Sequence, residues 1–233
     1  MLSKIMLLVC AVISVACGAC FAQEQAVGCI AVIEGAGDIL RSGQTLPASQ
    51  FDIVQINDRI RTKKYSRLEI VLNDKSVIRL ASSSCIKIDE FVLNDKMARE
   101  KAAITLSRGM AQVTVSKFGR TDTFTLNTPN ASGVVKGTDV FMSYLSGQTS
   151  VLVKEGRMAV SNIALPDDVV TVNKGATVTI PLTSAPTPAR PYLDAEFLRY
   201  KAEVSLPEKK AIPLAGIKEM NGSVTQLSGG VRI

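Results

Sequence analysis

Histidine and tryptophan are both absent from this chain of 233 residues. Without histidine the protein lacks the commonest metal ligand, the base of Ser-His and Cys-His pairs, and the usual proton carrier near neutral pH. Aromatic residues make up only 5% of the chain, which disfavours stacking surfaces for sugars or nucleic-acid bases. The composition therefore predicts a protein with no metal, no cofactor and no familiar catalytic group.

The chain also lacks a strong excess of either charge. Lys and Arg total 27 against 21 acidic residues, a net charge of +6. This is mildly basic and well below the density of a nucleic-acid binder, so we expect no nucleic-acid partner. Hydrophobic residues reach 46%, which is enough for the core of one domain, or of one domain with an appendage.

Residues 1–22 have the order of a secretory signal peptide, with one positive charge, an apolar run and then small residues. Lys4 carries the charge, the apolar run begins at Ile5, and Ala22 ends a plausible cleavage site before the polar Gln23. The body of the chain is then exported to the periplasm or cell envelope, or secreted.

Two alternatives would tether the chain to a membrane instead. The stretch from Ile5 to Ala22 has about 18 residues, the lower limit for a membrane span, so it could stay as an uncleaved anchor. Cys17 and Cys20 each follow small residues, as in a bacterial lipobox, although neither has the Leu expected three positions earlier. We expect membrane contact only by one of these routes.

A cleaved chain keeps two of its five cysteines, Cys29 and Cys85. Outside the cytoplasm two cysteines suggest one disulfide. The alternative is two unpaired thiols that pack as small apolar residues. Strand alternation places Cys85 on the outer face, and both alternatives stay open.

After Gln23 the sequence consists of short segments that alternate apolar and polar residues, with turn signals recurring every 8 to 12 residues or so. This pattern predicts an all-β domain, built as a β-solenoid or a sandwich. Val54 to Thr62 reads as one half-buried strand and Val92 to Lys101 as a loop with a helical turn. Arg108 and Gly109 are predicted as a bend, Thr128 to Asn130 as a turn, and Lys154 to Gly156 as a hairpin-like turn.

The C-terminal part differs in composition. Residues 181–191 contain four prolines and are predicted as a semi-rigid linker, followed by a short helix over residues 193–204. Residues 222–233 repeat the glycine spacing of residues 28–39, which indicates a terminal strand that pairs back on the body, or a truncated second repeat. We therefore divide the chain into a signal peptide (1–22), an all-β domain (23–182) and a C-terminal segment (183–233).

Several segments resemble, in the family's order, the motifs of FecR-like domains. They are Asn57 to Ile70, Leu72 to Leu80, Phe124 to Ala131, Val134 to Val140, Val151 to Val160 and Val172 to Ala176. The resemblance covers about residues 28–182. It departs from the family where Asn57 and Lys75 replace the usual glycines, so the turns at these positions are expected to differ locally.

The resemblance implies an extracytoplasmic β domain. The regulators that name the family place a cytoplasmic segment that controls a sigma factor before a transmembrane helix and this domain. Here only residues 1–3 precede the apolar run. We therefore expect the exported sensing or interaction domain without the signalling half.

We interpret the motif residues as structural. They are Asp58, Thr62, Asp74, Thr128, Pro129, Gly137, Thr138, Gly156 and Gly175. The three glycines are expected where the chain turns, because glycine accepts positive φ. Asp58 and Asp139 are expected to accept hydrogen bonds from turn N–H groups at strand edges.

Six basic residues form a candidate binding surface, which we call the basic face. They are Arg59, Arg61, Lys63, Arg67, Arg79 and Lys87. If their strands pair in sequence, these side chains form a positive stripe that would suit an anionic envelope polymer or an acidic protein patch. The alternative is a solvated face whose charges discourage unwanted strand pairing.

The function that we favour from the sequence is a non-enzymatic, exported module that binds another envelope protein as a sensor or scaffold. One alternative is a module that binds anionic glycan or cell wall through the basic face. Another is a sensor subunit that signals through a separate membrane partner. An enzyme is disfavoured because no nucleophile–base pair or acid dyad is apparent.

The intact mass of the protein from cell fractions, with and without reductant, tests export. We expect a chain that starts at Gln23 in the soluble envelope or secreted fraction, because the apolar run is short. A lipid on Cys17 or Cys20, or an intact N-terminus in the membrane fraction, would contradict this. Gain of one hydrogen on each sulfur upon reduction would show that Cys29 and Cys85 are paired.

Overall fold

The computed structural model of the protein describes residues 25–116 and 123–206. The predicted signal peptide and the predicted terminal strand at 222–233 lie outside these residues. Within them, fifteen strands join in one sheet, which confirms the all-β prediction. No helix in the described ranges is long and apolar enough to cross a membrane.

The strands are β1 (Ala26–Glu34), β2 (Gly37–Arg41), β3 (Gln44–Pro47), β4 (Ile53–Gln55), β5 (Arg59–Thr62), β6 (Arg67–Leu72), β7 (Val77–Leu80), β8 (Cys85–Leu93), β9 (Arg99–Thr114), β10 (Thr123–Asn127), β11 (Ala131–Leu145), β12 (Gln148–Asn162), β13 (Leu165–Asn173), β14 (Ala176–Ile180) and β15 (Arg190–Pro191). A helix, α1 (Asp194–Val204), follows them. The sheet is mixed, because β9 and β10 pair in parallel whereas the other described pairs are antiparallel.

The sheet folds back on itself because a long strand changes partners halfway along its length. The part of β9 up to Arg108 pairs with β8 and β10, whereas the part from Gly109 to Thr114 pairs with β7 and β11. Ile104 from the first part and Val113 from the second line the same small cavity. The two parts of the sheet therefore cover a common core.

Glycine is required at the point where β9 bends. Gly109 has a φ of +88°, and a Cβ atom there would lie 2.6 Å from the Cα of Ser84. No side chain fits into that space without moving the Ala81 to Ser84 corner between β7 and β8. The predicted bend at Arg108 and Gly109 is thus present inside a continuous strand.

The predicted turn at Lys154 to Gly156 is wrong, because β12 runs without interruption from Gln148 to Asn162. Gly137 likewise lies inside β11. The two strands keep pairing, with register shifts around Asp139 and Glu155. Gly137 and Gly156 have φ values of +54° and +78° and belong to a bulge, which bends a strand without ending it. Gly175, in contrast, lies in a turn as predicted.

Two other sequence predictions also need correction. Val54 to Thr62 is not one strand, because a turn over residues 56–58 separates β4 from β5, which have different partners. Val92 to Lys101 is not a loop with a helical turn, since β8 and β9 pair as a hairpin around Asn94. The Asn94 side chain accepts hydrogen bonds from two backbone N–H groups of this hairpin turn, which closes it without a helix.

The two residues that replace family glycines adopt the backbone that glycine favours. Asn57 has a φ of +69° and Lys75 a φ of +70°. Asparagine tolerates this region, whereas lysine there costs roughly 1 kcal/mol. Lys75 therefore bears the cost of a left-handed turn rather than avoiding it.

The core follows the period-2 pattern of the sequence. Phe91 and Phe124 are no more than 1% exposed and pack with Ile, Leu and Val side chains from nearly every strand. Each such side chain contributes roughly 1.5–3 kcal/mol when it is fully buried. Burial of alternate residues thus fixes the register of each strand, because a slip by one residue would expose them.

A buried ion pair joins the two ends of β9. Asp74 and Arg99 are each 1% exposed in their side chains and contact each other directly. Ser76 donates its backbone N–H and its hydroxyl to Asp74, at 2.9 and 2.8 Å. The Ser76 hydroxyl oxygen also accepts the backbone N–H of Ser116, just beyond β9, at 3.0 Å. The β6–β7 turn therefore holds the start and the end of β9 together.

The proline-rich segment lies along the sheet instead of standing away from it. Asn130 donates through Nδ2 to the carbonyl of Pro181 at 2.8 Å. Asn162 donates in the same way to Pro181 and Ser184, at 2.9 and 2.8 Å. Farther along, β15 pairs with β14. The linker is therefore attached to the body at several points.

Helix α1 confirms the predicted short helix and covers a second apolar cluster on the outside of the sheet. Phe197 and Tyr200 meet Phe141 edge-on, with ring centroids 6.0 and 5.9 Å apart. Val204 is 1% exposed in the same cluster. At the helix start Glu196 accepts hydrogen bonds from Arg190 and from the backbone N–H of Leu193, which lower the pKa of Glu196 to about 2.

Substitution of Gly156 by Ala tests the bulge, with Gly175→Ala as a matched control. Both glycines have φ near +80°, so each alanine pays about 1 kcal/mol for its backbone. Only at Gly156 would the new Cβ also lie 2.9 Å from the Gly137 oxygen, whereas nothing lies within 4 Å at Gly175. We expect Gly156→Ala to lower the free energy of unfolding by about 1–3 kcal/mol more than Gly175→Ala does. Equal losses in denaturant titrations would contradict the bulge.

Substitution of Asp74 by Asn tests the buried ion pair. Asn keeps an acceptor for the Ser76 N–H but removes the charge opposite Arg99. Because an uncompensated buried charge remains, we expect the free energy of unfolding to fall by roughly 3–5 kcal/mol. Arg79→Gln breaks the half-exposed pair with Glu69 and should cost less than about 1 kcal/mol. Similar losses in the two variants would argue against a special role for Asp74.

Candidate functional site

The basic face predicted from the sequence is largely neutralised by its own neighbours. Arg61 donates to the Asp38 carboxylate at 2.9 Å, and Lys63 pairs with the same carboxylate. The hydrogen bond from Lys63, together with the charges of both cations, lowers the pKa of Asp38 below its usual value. Asp38 is therefore ionised at neutral pH and compensates much of the charge at this end of the face.

The other members of the basic face have partners as well. Arg67 contacts Glu34 at 3.3 Å, Arg79 contacts Glu69 at 2.7 Å, and Lys87 contacts Asp89 at 3.0 Å. Arg67 also donates to a carbonyl at the C-terminal end of α1. Among the six, Arg59 is the one for which the described residues provide no carboxylate partner.

The strands that carry these residues do not pair in sequence. β5 pairs with β2 and β8, whereas β6 pairs with β1 and β7. Arg59 and Lys87 are opposite each other on β5 and β8, but Arg79 lies opposite Glu69 on β7 and β6. The condition for one continuous positive stripe is therefore not met, and whether the basic face binds anything stays a prediction.

The motif acids are occupied by structural contacts. Asp58 is 1% exposed and receives two hydrogen bonds from Arg41, at 2.8 and 2.6 Å, and one from the Gln55 backbone N–H at 2.7 Å. Asp139 accepts hydrogen bonds from Gln112 and Lys154, both at 2.7 Å. Asp58 thus closes a turn as expected, whereas Asp139 binds side chains of neighbouring strands instead.

The motif threonines are also buried. Thr62 donates to the Ala81 carbonyl at 2.6 Å, and Thr128 accepts the Ala131 N–H at 3.0 Å in the turn that Pro129 forms. Thr138 is 2% exposed, and its hydroxyl has no hydrogen-bond partner within residues 25–116 and 123–206. Its methyl group faces the bulge at Gly156. These positions hold the chain together and present no reactive group to solvent.

The two remaining cysteines are free in the structure. Cys29 is buried on β1, and Cys85 is half-buried on the outer face of β8. Burial raises the pKa of both thiols, and at Cys85 the nearby charges of Arg59, Arg61 and Arg108 oppose that increase. Both thiols are therefore in the protonated, less reactive form at neutral pH.

The described residues include no group of three or more His, Cys, Asp and Glu side chains that could hold a metal ion. Asp89, one member of an adjacent acidic pair, accepts a hydrogen bond from Thr105 and pairs with Lys87. The cavity inside the sheet is lined mainly by apolar side chains of the core. This cavity therefore contains no titratable side chain.

Strand register brings together three cations that the sequence analysis did not single out. Lys136 on β11 lies directly opposite Arg157 on β12. Lys101 on β9 is the register partner of Thr123 on β10, and the next residue of β10, Phe124, lies opposite Val135 of β11. Lys101, Lys136 and Arg157 therefore form one line across four strands, which we call the basic row. The sequence alone does not show that these three cations are neighbours, because only the register of the strands brings them together.

All three side chains of the basic row are exposed and point away from the core. In residues 25–116 and 123–206 no carboxylate forms an ion pair with any of them. The exposed Glu100 and Glu155 lie close to the row along the chain but do not pair with it. The basic row is thus positive without a compensating acid.

Comparisons with known proteins show what this domain is similar to. Residues 58–159 match the FecR protein family. The fold is similar to the crystal structure of a candidate anti-sigma factor from Parabacteroides distasonis, with a TM-score of 0.50 and 14% sequence identity, over 70% of this chain and 71% of that one. A second crystal structure with this description, from the same organism, has a TM-score of 0.48 and 14% identity, over 75% of this chain and 92% of that one.

No curated protein matches the sequence. The family match includes the strands from β5 to most of β12, and with them the buried ion pair, the bulge and the basic row. The chain is therefore similar to FecR proteins over residues 58–159, a little under half of its length.

Proposed function

We propose that the protein is a non-enzymatic, exported module that acts at the cell envelope by binding another protein. The main support for this proposal is that the acidic motif residues are buried and bound to cations of the same fold. Asp58, Asp74 and Asp139 are buried and bound to Arg41, Arg99 and Lys154. Side chains that are saturated by partners of the fold are poorly suited to acid–base or nucleophilic chemistry.

The FecR match and the similar fold of a candidate anti-sigma factor support a regulatory or sensing role. Proteins with such a role work by contact with a partner rather than by turnover. The order of charge, apolar run and small residues in 1–22 supports export. A sensor subunit that signals through a separate membrane partner is an alternative form of this proposal.

The alternative of an anionic-glycan module loses support from the geometry of the basic face. Of its six cations, five are bound to carboxylates of the same sheet. Each would have to leave its partner, or share it, in order to hold a polymer. Exposed pairs of this kind are weak, so a strongly binding ligand could displace the carboxylates. The cations are nevertheless not free to bind a polymer in the absence of such a ligand.

In-cell photocrosslinking tests whether the partner is a protein. A photoreactive phenylalanine analogue replaces Val134, which is 38% exposed on the outer face of β11, or Leu46, which is 39% exposed on β3. Because a specific partner occupies one surface, we expect discrete protein adducts in the envelope fraction from one of the two positions and not from both. Mass spectrometry of the adducts identifies the partner.

Absence of protein adducts from both of these positions and from the other exposed strands would contradict the proposal. Binding of the purified chain to isolated envelope polysaccharide under the same conditions would then favour the glycan alternative. Turnover of a substrate that survives purification but disappears in a point variant would contradict the non-enzymatic part.

A further inference from the structure

The basic row is a feature that folding alone does not explain. Lys136 and Arg157 face each other directly across two antiparallel strands. Opposite charges at such positions stabilise a sheet, whereas like charges destabilise it. Elsewhere Arg79 lies opposite Glu69 and binds it, and where two other cations, Arg59 and Lys87, lie opposite each other, Asp89 pairs with Lys87. The repulsion in the row is unrelieved by the described residues.

The geometry of the row follows from the sheet. Neighbouring strands are about 4.8 Å apart, so the line from β9 to β12 is about 14 Å long. An extended peptide places side chains of one face about 7 Å apart, so three alternate residues also span about 14 Å. An extended segment with acidic residues at alternate positions thus matches the row in charge and in length.

The sheet surface next to the row suits a flat peptide or protein surface. Along the neighbouring line of outward positions the register brings together small or β-branched side chains, namely Ala103, Thr125, Val134, Ala159 and Thr171. From β9 to β13 this line contains no charge and no aromatic ring, and Glu90 of β8 lies opposite Ala103 at its end. It offers contact area without a platform for stacking sugars or bases.

We propose that the basic row, Lys101, Lys136 and Arg157, binds an extended acidic segment of a partner protein, which lies across strands β9 to β12. This proposal rests on the proposed function, because it names the surface and the chemistry of the protein partner. The partner's carboxylates relieve the repulsion between Lys136 and Arg157. Binding of this kind depends strongly on ionic strength, because exposed charges are screened by salt.

The test compares two triple variants of the full exported chain that remove the same charge. The first variant is Lys101→Gln, Lys136→Gln and Arg157→Gln. The matched control is Arg59→Gln, Lys64→Gln and Arg199→Gln, three exposed cations that form no ion pair among the described residues. The control includes the unpaired member of the basic face and so tests that face as well.

The probe is a fluorescent peptide of repeated Glu-Thr pairs, and its binding is measured by anisotropy over a range of salt concentrations. We expect the row variant to weaken binding by about tenfold or more and to flatten the salt dependence, while the control stays within about twofold of the original chain. Polyphosphate of equal total charge serves as a second ligand.

Stability gives an independent readout. If the row binds a ligand and destabilises the sheet, Lys136→Gln removes the repulsion with Arg157. We then expect the denaturation midpoint to stay unchanged or to rise. A lower midpoint would show that Lys136 has a structural role instead and would overturn the proposal. Denaturation of the two triple variants, measured in the same way, shows whether they are folded.

Several results would overturn the proposal. Equal losses in the two triple variants would mean that only net charge matters, and a larger loss in the control would favour the basic face. Row-dependent binding of polyphosphate without binding of the peptide would indicate a phosphate polymer. If a protein adduct at Val134 persists in the row variant, the row proposal fails while the proposed function stands. If the original chain gives no protein adduct, the proposed function itself fails.

Discussion

The buried contact between Asp74 and Arg99 is the constraint on which the rest of the fold depends. An ion pair without solvent is costly unless further hydrogen bonds complete it. Here both oxygens of Asp74 accept from Ser76, and Arg99 also donates to Ser76 and lies over the ring of Phe124 at 5.1 Å. Because Ser116 joins the same group, the two ends of β9 have to meet. The strand must then bend at Gly109, and the sheet folds over a single core.

The strain in the β6–β7 turn has its explanation in this contact. Lys75 lies between Asp74 and Ser76 in a left-handed conformation that costs roughly 1 kcal/mol for a residue other than glycine. The flanking residues both bind Arg99, so any relaxation of the turn would disturb a buried charge. An unpaired buried Arg99 would cost more free energy than the strained backbone of Lys75, so the strained turn persists.

Sequence alone was enough for the all-β character of the domain, the turn at Pro129, the turn at Gly175 and helix α1, because each leaves a local pattern. It was not enough for the bulge. A glycine between two alternating segments indicates a turn, and only the partner strand shows that pairing continues through Gly137 and Gly156. The bend in β9 was located correctly, but the long-range contact that causes it connects residues 25 positions apart.

Local sequence information also explains why the basic face was predicted and the basic row was missed. Alternate cations along β5 are visible in the sequence, whereas the acid that compensates Arg61 lies 23 residues away on β2. The cations of the basic row are scattered along the chain and become neighbours only through the register of β9 to β12. Among the described residues, most cations of the early strands are therefore paired with carboxylates, whereas those of the basic row are not. Because the early strands show that this fold readily places carboxylates beside its cations, the uncompensated row requires a reason outside the fold, and an acidic partner provides one.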